Sequence, residues 1–333
     1  MQEQEGRRLA ELGEFGLIER IRARFPAPDG VTGIGDDCAV LRPGYNQDTL
    51  VSTDMLVEGT HFLREDIPPF DLGWKSAAVN LSDIAAMGGK PTGTFLSLAL
   101  PAGLPAAWMD AFLDGYAELS KRFDVPLLGG DTTASPDRIC INVTVLGECP
   151  YGRSRLRSAA AVDDLICVTG PLGDSAAGLK AILEGVDRDA DVQTLIDRHY
   201  RPMPRVAEGQ ELRLNLGVHA MMDISDGIAS DLRHILKASQ VGAEVFTKEI
   251  PLSKELRQVC TRHGWDALEL ALTGGEDYEL LFTVPLHAND TVSALEDIHV
   301  IGYITEPEKG CALITRDGGE HQLRAQGWEA LKS

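Results

Sequence analysis

The residues in this chain best suited to chemistry are carboxylates, and they recur at turns. Asp36 and Asp37 follow Gly33-Ile34-Gly35, Asp54 closes a run that begins Leu50-Val51, and Asp131 follows Leu127-Leu128-Gly129-Gly130. Asp223 and Asp226 flank Ile224-Ser225, Glu276-Asp277 follows Thr273-Gly274-Gly275, and Asp83 shares a helical face with Asn80. Any one of these is explained by the liking of Asp for turns and helix starts. As a set, several of them directly after strand-like runs, they point to a crevice at the ends of a sheet. Carboxylates gathered there repel one another unless cations lie between them, and hard oxygen donors select Mg2+ or Ca2+ over zinc. A compact D-x-D-x-D-G calcium loop is absent from the sequence. Dispersed carboxylates suit Mg2+, which keeps waters and completes its shell with substrate phosphates, so several ions imply a ligand such as ATP.

Neither common phosphate cradle occurs. Gly88-Gly89-Lys90-Pro91 lacks the spacing and the hydroxyl of a P-loop, and Cys38 stands where a dinucleotide fingerprint starting at Gly33 needs its third glycine. If ATP binds, metals rather than a lysine cradle must neutralise its phosphates.

The elements that position these groups follow from periodicity. A helix is expected over Glu14 to Phe25, stopped by Pro26-Ala27-Pro28-Asp29-Gly30, and a short strand over Leu50 to Asp54. Asp71 can cap a helix carrying Trp74, Ala78, Leu81 and Ala85 and ending near Gly88-Gly89. Thr94 to Leu100 reads as strand, Pro105 to Phe123 as helix, and Arg138 to Gly147 alternates as a half-buried strand. A break at Cys149-Pro150-Tyr151-Gly152 puts a domain boundary there, giving domains 1–149 and 150–333. Beyond it come a strand over Leu165 to Thr169, a helix opened by Gly173-Asp174-Ser175, an extended connector over Arg201 to Arg205 and a strand end at Asp223. A helix over Asp226 to Ser239 and strands over Glu279 to Val284 and His299 to Thr305 complete a mixed α and β chain.

Composition narrows the partners. The chain has 333 residues, enough for two domains, with 31 Lys plus Arg against 51 Asp plus Glu, a net charge of −20 that disfavours nucleic acid and anionic membranes. No apolar run approaches the roughly 20 residues of a membrane span, and Met1 to Leu12 lacks a signal peptide's apolar core, so a cytoplasmic location is expected. Six scattered cysteines with no C-x-x-C read as reduced thiols rather than disulfides or a zinc site.

The order of motifs resembles one family over roughly Gly13 to Trp328. Gly33-Ile34-Gly35-Asp36-Asp37, Ser52-Thr53-Asp54-Met55-Leu56-Val57-Glu58-Gly59-Thr60-His61-Phe62, Asn80-Leu81-Ser82-Asp83 and Gly129-Gly130-Asp131-Thr132-Thr133 occur in the order of the thiamine-monophosphate kinases. Thr169-Gly170-Pro171-Leu172-Gly173-Asp174-Ser175, Asp223-Ile224-Ser225-Asp226-Gly227 and Thr273-Gly274-Gly275-Glu276-Asp277-Tyr278 continue it. The resemblance implies an α/β fold of the aminoimidazole-ribonucleotide synthetase superfamily, two domains with the N-terminal one pairing in a homodimer, and transfer of the ATP γ-phosphoryl group to thiamine monophosphate. By the same resemblance Asp37, Ser52, Thr53, Asp54, Asp83, Asp131, Asp223 and Asp226 are the Mg2+ shell. Gly130, Asp131, Arg157 and Ser225 are ATP contacts, and His61, Glu276 and Trp328 contact the thiamine phosphate. Outside their motifs, His61 reads as a loop histidine and Trp328 equally as a packing residue or a ring stacked on the substrate, while Arg157, a lone arginine in a Gly/Ser-type loop of an acidic chain, reads as a phosphate ligand ahead of half of a surface ion pair, and Asp36 as turn-forming or as a support for the ligands beside it.

Two positions depart from the family pattern. Arg157-Ser158-Ala159-Ala160 has Ala159 where glycine is expected, and Ala134 follows Asp131-Thr132-Thr133 where many relatives carry a polar or basic residue. The acceptor that the resemblance implies is a phosphate monoester with a second pKa of about 6, so it would be a dianion at neutral pH and need no general base. Two alternatives stay open on the sequence: a superfamily member with another small acceptor, and a non-catalytic metal-binding relative.

Overall fold

The computed structural model describes Asp36, residues 39–295 and residues 297–323. The helix expected over Glu14 to Phe25, the glycine turn at Gly33-Ile34-Gly35, Asp37, Cys38 and Trp328 lie outside the described residues.

Residues 39–150 form a five-stranded sheet. Its strands are β1 (Ala39–Gly44), β2 (Gln47–Val57), β3 (Lys90–Pro101), β4 (Leu127–Ser135) and β5 (Cys140–Pro150), in the order β1-β2-β5-β3-β4. Only β3 and β4 run parallel, and the crossover that such a pair requires is α2 (Ala106–Phe123). Period-two alternation is clean in β5: Ile141, Val143 and Val145 are buried while Asn142, Thr144 and Leu146 are only half-buried on the opposite face. Pairing of Asp54 with Val143, and of Thr53 with Thr144, carries the same two faces onto β2.

Helix α1 (Pro69–Ala86) packs on the buried face of that sheet, and 14 of its residues are buried, far more than one helical stripe supplies. The excess arises because its other sides meet α2, the later helices and the second sheet. The expected cap differs. The chain enters α1 through Pro68, with Pro69 at the first helical position, and Asp71 falls inside the first turn, where its Oδ1 is 3.4 Å from Arg201 Nε. Proline preorganises that start without any capping side chain.

The second sheet has seven strands: β6 (Leu165–Val168), β7 (Met221–Asp223), β8 (Gly242–Phe246), β9 (Leu280–Val284), β10 (His299–Thr305), β11 (Cys311–Ile314) and β12 (Glu320–Gln322). Their order is β12-β11-β8-β10-β6-β9-β7. Around it lie α3 (Asp174–Glu184), α4 (Ala190–Tyr200), α5 (Val206–Asn215), α6 (Ile228–Ser239), α7 (Lys254–His263), α8 (Ala267–Thr273) and α9 (Asn289–Ser293). β6 and β9 are buried throughout, which accounts for their unbroken apolar runs. β7 is the edge strand lying against α1, and this brings Asp223 beside the first sheet's helix. The mixed α and β class is the one the periodicity implied. The five cysteines described are free thiols, and no helix among the described residues is long and apolar enough to cross a membrane.

Candidate active site

A cavity of about 890 Å3 opens where the end of β2, the turn after it and one side of α1 face the 223–226 and 274–278 segments. Asp54 and Asp83 line it from the first part of the chain, Asp223 and Asp226 from the second. Asp83 is placed by helical spacing: Lys75, Val79 and Asp83 recur every four residues and all face the cavity. Ser52, two residues before Asp54 and so on the same face of β2, donates its hydroxyl to Asp83 Oδ2 at 2.5 Å. Ser82 donates to Asp223 Oδ2 at 2.6 Å, tying α1 to β7, and Asn80 Oδ1 accepts the Asp54 backbone N–H at 3.2 Å.

The Asp223-Ile224-Ser225-Asp226 turn is held from beneath by Asp231 of α6, whose Oδ2 accepts the N–H groups of Ser225 and Asp226, both at 3.1 Å. Burial, then the charges of Asp226 and Asp223, push the Asp231 carboxyl well above the usual carboxylate range. Two glycines let the neighbouring segment close on this turn. Gly227 sits at φ +99°, and a Cβ on Gly275 would collide with the Ser225 carbonyl.

The segment from Glu276 to Glu279 assigns each residue a different task. Glu276, at φ +64°, lines the cavity and takes Lys75 Nζ on its Oε2 at 2.9 Å. Burial would raise its carboxyl, but the Lys75 ammonium outweighs this and leaves it below the ordinary range. Asp277 accepts N–H groups at the start of α3, from Gly173 at 2.8 Å and Ser175 at 3.4 Å. Tyr278, at φ +52°, is buried, and burial followed by the charges of Glu276, Asp54, Asp223 and Asp226 keeps its phenol protonated. Glu279 is pinned by Arg205 and by the Thr169 hydroxyl at 2.6 Å.

His61 lines the same cavity from the turn after β2, and its Nδ1 accepts the Val57 N–H at 3.0 Å. His199, on α4, is buried, with Nδ1 at 3.0 Å from Ser175 Oγ and 3.3 Å from Glu276 Oε2. Burial, then Lys75, lowers its pKa to about 3, so the ring is neutral.

Four residues assigned to metal or nucleotide lie elsewhere. Thr53 is on the outer face of the first sheet, donating to Val143 O at 3.0 Å and accepting from Asn142 Nδ2 at 3.0 Å. Asp131 pairs with Ser97 across β3 and β4, which puts it on that outer face too. Gly130 is where a Cβ would strike the Leu96 carbonyl, a packing reason for glycine independent of any ligand. Arg157 is held by Asp36: its backbone N–H donates to Oδ2 at 3.2 Å and its Nε lies 3.7 Å from Oδ1. Asp36 thus anchors this arginine. Ala159, in the one-turn helix Arg157–Ala159, is not at positive φ, so its Cβ is tolerated.

Sequence reasoning missed Lys75, His199, Ser82 and Asp231. Lys75 had a usable signal, a lone cation within an apolar helix, eight residues before Asp83 and therefore on nearly the same face. Among the described residues no three His, Cys, Asp or Glu side chains converge into a closed metal cage. The donors that line the cavity are carboxylate and hydroxyl oxygens, spread along it. That set fits an ion such as Mg2+, which binds through one or two carboxylates plus waters and phosphates.

The N-terminal domain model of the AIR synthase related proteins matches residues 35–149, and the C-terminal domain model matches residues 161–313. The thiamine-monophosphate kinase of Escherichia coli strain K12 is 44% identical over 329 residues, covering 95% of this chain and 98% of its own length. That of Bacillus subtilis strain 168 is 37% identical over 333 residues, covering 96% and 100%. The solved structure of AaThiL complexed with AMPPCP and TMP superposes with a TM-score of 0.89 at 36% identity, covering 98% of this chain and 99% of that one. With both domains matched and whole-length relatives at these identities, the chain belongs to the thiamine-monophosphate kinase family, and so to the kinases built on the AIR synthase related fold.

Proposed function

We propose that this enzyme transfers the γ-phosphoryl group of ATP to thiamine monophosphate, giving thiamine diphosphate by direct in-line displacement in the cytoplasm. The observation that carries this reading is the convergence of Asp54, Asp83, Asp223 and Asp226 on a cavity that also holds His61 and Glu276. The names of the relatives and the AMPPCP and TMP of AaThiL agree with it.

In this reading Asp54, Asp83, Asp223 and Asp226, with Ser52, hold Mg2+. Bound Mg2+ supplies the charge neutralisation that two phosphate-bearing reactants need in order to meet. Asp37 belongs to the same proposed shell. Ser52 and Ser82 orient Asp83 and Asp223 by their short hydrogen bonds, and Asp231 fixes the turn that presents Ser225 and Asp226. Ser225 and Arg157 bind ATP, while His61, Glu276 and Trp328 receive the acceptor. No side chain acts as general base, since the acceptor phosphate is already an anionic nucleophile.

We assign nucleotide binding and dimerisation to residues 1–149 and completion of the site to residues 150–333. Support for a homodimer comes from the outer face and open edge of the first sheet, where Met55 is 55% exposed, Phe95 37%, Leu127 45% and Leu128 54%. Thr53 and Asp131 lie on the outer face and Gly130 lies in the open edge strand β4, so their proposed contacts with metal and nucleotide are tied to pairing of this side with a second copy of the chain.

The test is ADP release with and without thiamine monophosphate, together with γ-labelled ATP incubated with enzyme alone and quenched. Acceptor-dependent ADP release and no protein-bound label are expected. Stoichiometric label that chases into thiamine diphosphate would establish a phosphoenzyme and sink the in-line route.

A further inference from the structure

Lys75 is 1% exposed, one of the largest fully buried side chains, and its Nζ is committed to Glu276 Oε2 at 2.9 Å. An ammonium in the middle of a helix is buried at high cost unless its partner is fixed, so this pairing calls for a reason. His199 Nδ1 approaches the same oxygen at 3.3 Å. Ser175 Oγ meets that same ring nitrogen at 3.0 Å, so the three groups are not a nucleophile, base and carboxylate relay, which needs the hydroxyl and the acid on opposite nitrogens. The ring is neutral, and its Nδ1 lies at hydrogen-bond distance from Ser175 Oγ.

Glu276 itself is 26% exposed and lines the cavity. Both described contacts of its carboxylate go to Oε2, leaving Oε1 uncommitted. The titratable groups facing it are Lys75 from α1, His199 from α4, His61 from the turn after β2 and Tyr278 from its own segment.

We propose that Lys75 is a positioning residue for the acceptor: by pinning the Glu276 carboxylate through Oε2, it presents Oε1 as a hydrogen-bond acceptor to an N–H of the acceptor's heterocycle. Lys75 does not itself touch the phosphate. The inference rests on the reading of the cavity as the site for ATP and thiamine monophosphate.

Steady-state ADP release tests it, with ATP and thiamine monophosphate varied separately between about pH 6 and pH 9. Lys75→Met should raise KM for thiamine monophosphate about ten- to a hundred-fold, the worth of a hydrogen bond to a charged group, and leave KM for ATP within about two-fold. Its KM for the acceptor should also become pH-dependent, worsening as pH falls, because Glu276 without its ammonium takes up a proton in a buried setting. Lys75→Met/Glu276→Gln should match Glu276→Gln alone in KM for the acceptor. That comparison removes both charges and stays decisive where Lys75→Met alone fails to fold. A further loss in the double variant would mean that Lys75 touches the acceptor directly, and an equal rise in both KM values would mean a general packing role; either overturns the proposal. ADP release by the wild type that ignores thiamine monophosphate overturns the functional reading and the proposal together, whereas the variant outcomes bear on Lys75 alone.

Discussion

Asp231 offers a sharp test of how the carboxylate turn is built. It is 1% exposed, and its Oδ2 accepts two backbone N–H groups at 3.1 Å. Asp231→Ala deletes both bonds and takes the acceptor from two part-buried N–H donors. A donor that loses its acceptor costs about 1–3 kcal/mol, so the gross loss for two is about 2–6 kcal/mol. The same change removes a carboxyl that burial and the charges of Asp226 and Asp223 disfavour, which moves the expected loss toward the lower end, about 2–3 kcal/mol. For a domain of this size that is a fall of roughly 4–12 °C in Tm. Asp231→Asn keeps an oxygen at the Oδ2 position and should cost less than about 1 kcal/mol.

The pH dependence supplies an independent check. The folded-state pKa of Asp231 is raised above its unfolded value of about 3.9, so the folded chain binds more protons than the unfolded one between those two values. Its contribution to stability is therefore complete below the unfolded pKa and is lost as pH rises through the folded pKa. Asparagine does not titrate. Melting of wild type and Asp231→Asn, with chelator and without nucleotide, should show the variant gaining on the wild type as pH rises above about 4. Parallel curves, or an Asn variant as unstable as the Ala variant, would refute the argument that this carboxyl acts as a buried acceptor under like-charge pressure.

Three further outcomes are expected. Asp54→Asn should abolish acceptor-dependent ADP release while Tm changes by no more than about 2 °C, since the side chain faces the cavity rather than the core; near-normal turnover at saturating Mg2+ removes Asp54 from the metal site. Arg205→Met should cost about 3 kcal/mol in denaturant unfolding, because Glu279, 6% exposed, keeps only the Thr169 hydroxyl as partner; an unchanged midpoint would contradict a structural role for the pair. Trp328→Ala should raise KM for thiamine monophosphate more than KM for ATP, and equal changes would instead assign the indole to packing.

Much of the site was legible because its parts are local. Asp54 at a strand end, Asp83 in register with Asn80 and the Asp223-Ile224-Ser225-Asp226 turn each carry their signal within a few residues, and the cavity brings these carboxylates together. The partners across the chain were not legible. Glu276 lies 201 residues from Lys75, and Asp223 lies 141 from Ser82, separations over which no periodicity survives. The division of Ser52, Thr53 and Asp54 between the two faces of β2 was readable in the sequence itself. Consecutive strand residues point to opposite faces, so Thr53 goes to the outer side whenever Ser52 and Asp54 go to the cavity.

The Glu276 to Glu279 segment is harder to read because of its backbone. Its side chains alternate, Glu276 and Tyr278 lining the cavity while Asp277 reaches the start of α3 and Glu279 reaches Thr169 and Arg205. Yet Glu276 and Tyr278 both sit at positive φ, which no strand pattern signals. Such backbone is costly for residues with a Cβ and persists only where its surroundings over-determine it. Here the fixed points are visible: Glu276 N–H on Ser225 O at 2.8 Å, Tyr278 N–H on Ile224 O at 2.9 Å, and Lys75 holding the Glu276 side chain. Thus the turn that carries Asp223 and Asp226 and the segment that carries Glu276 are hydrogen-bonded to one another. Under the proposed function, this backbone pairing is what ties the placement of the donor to that of the acceptor.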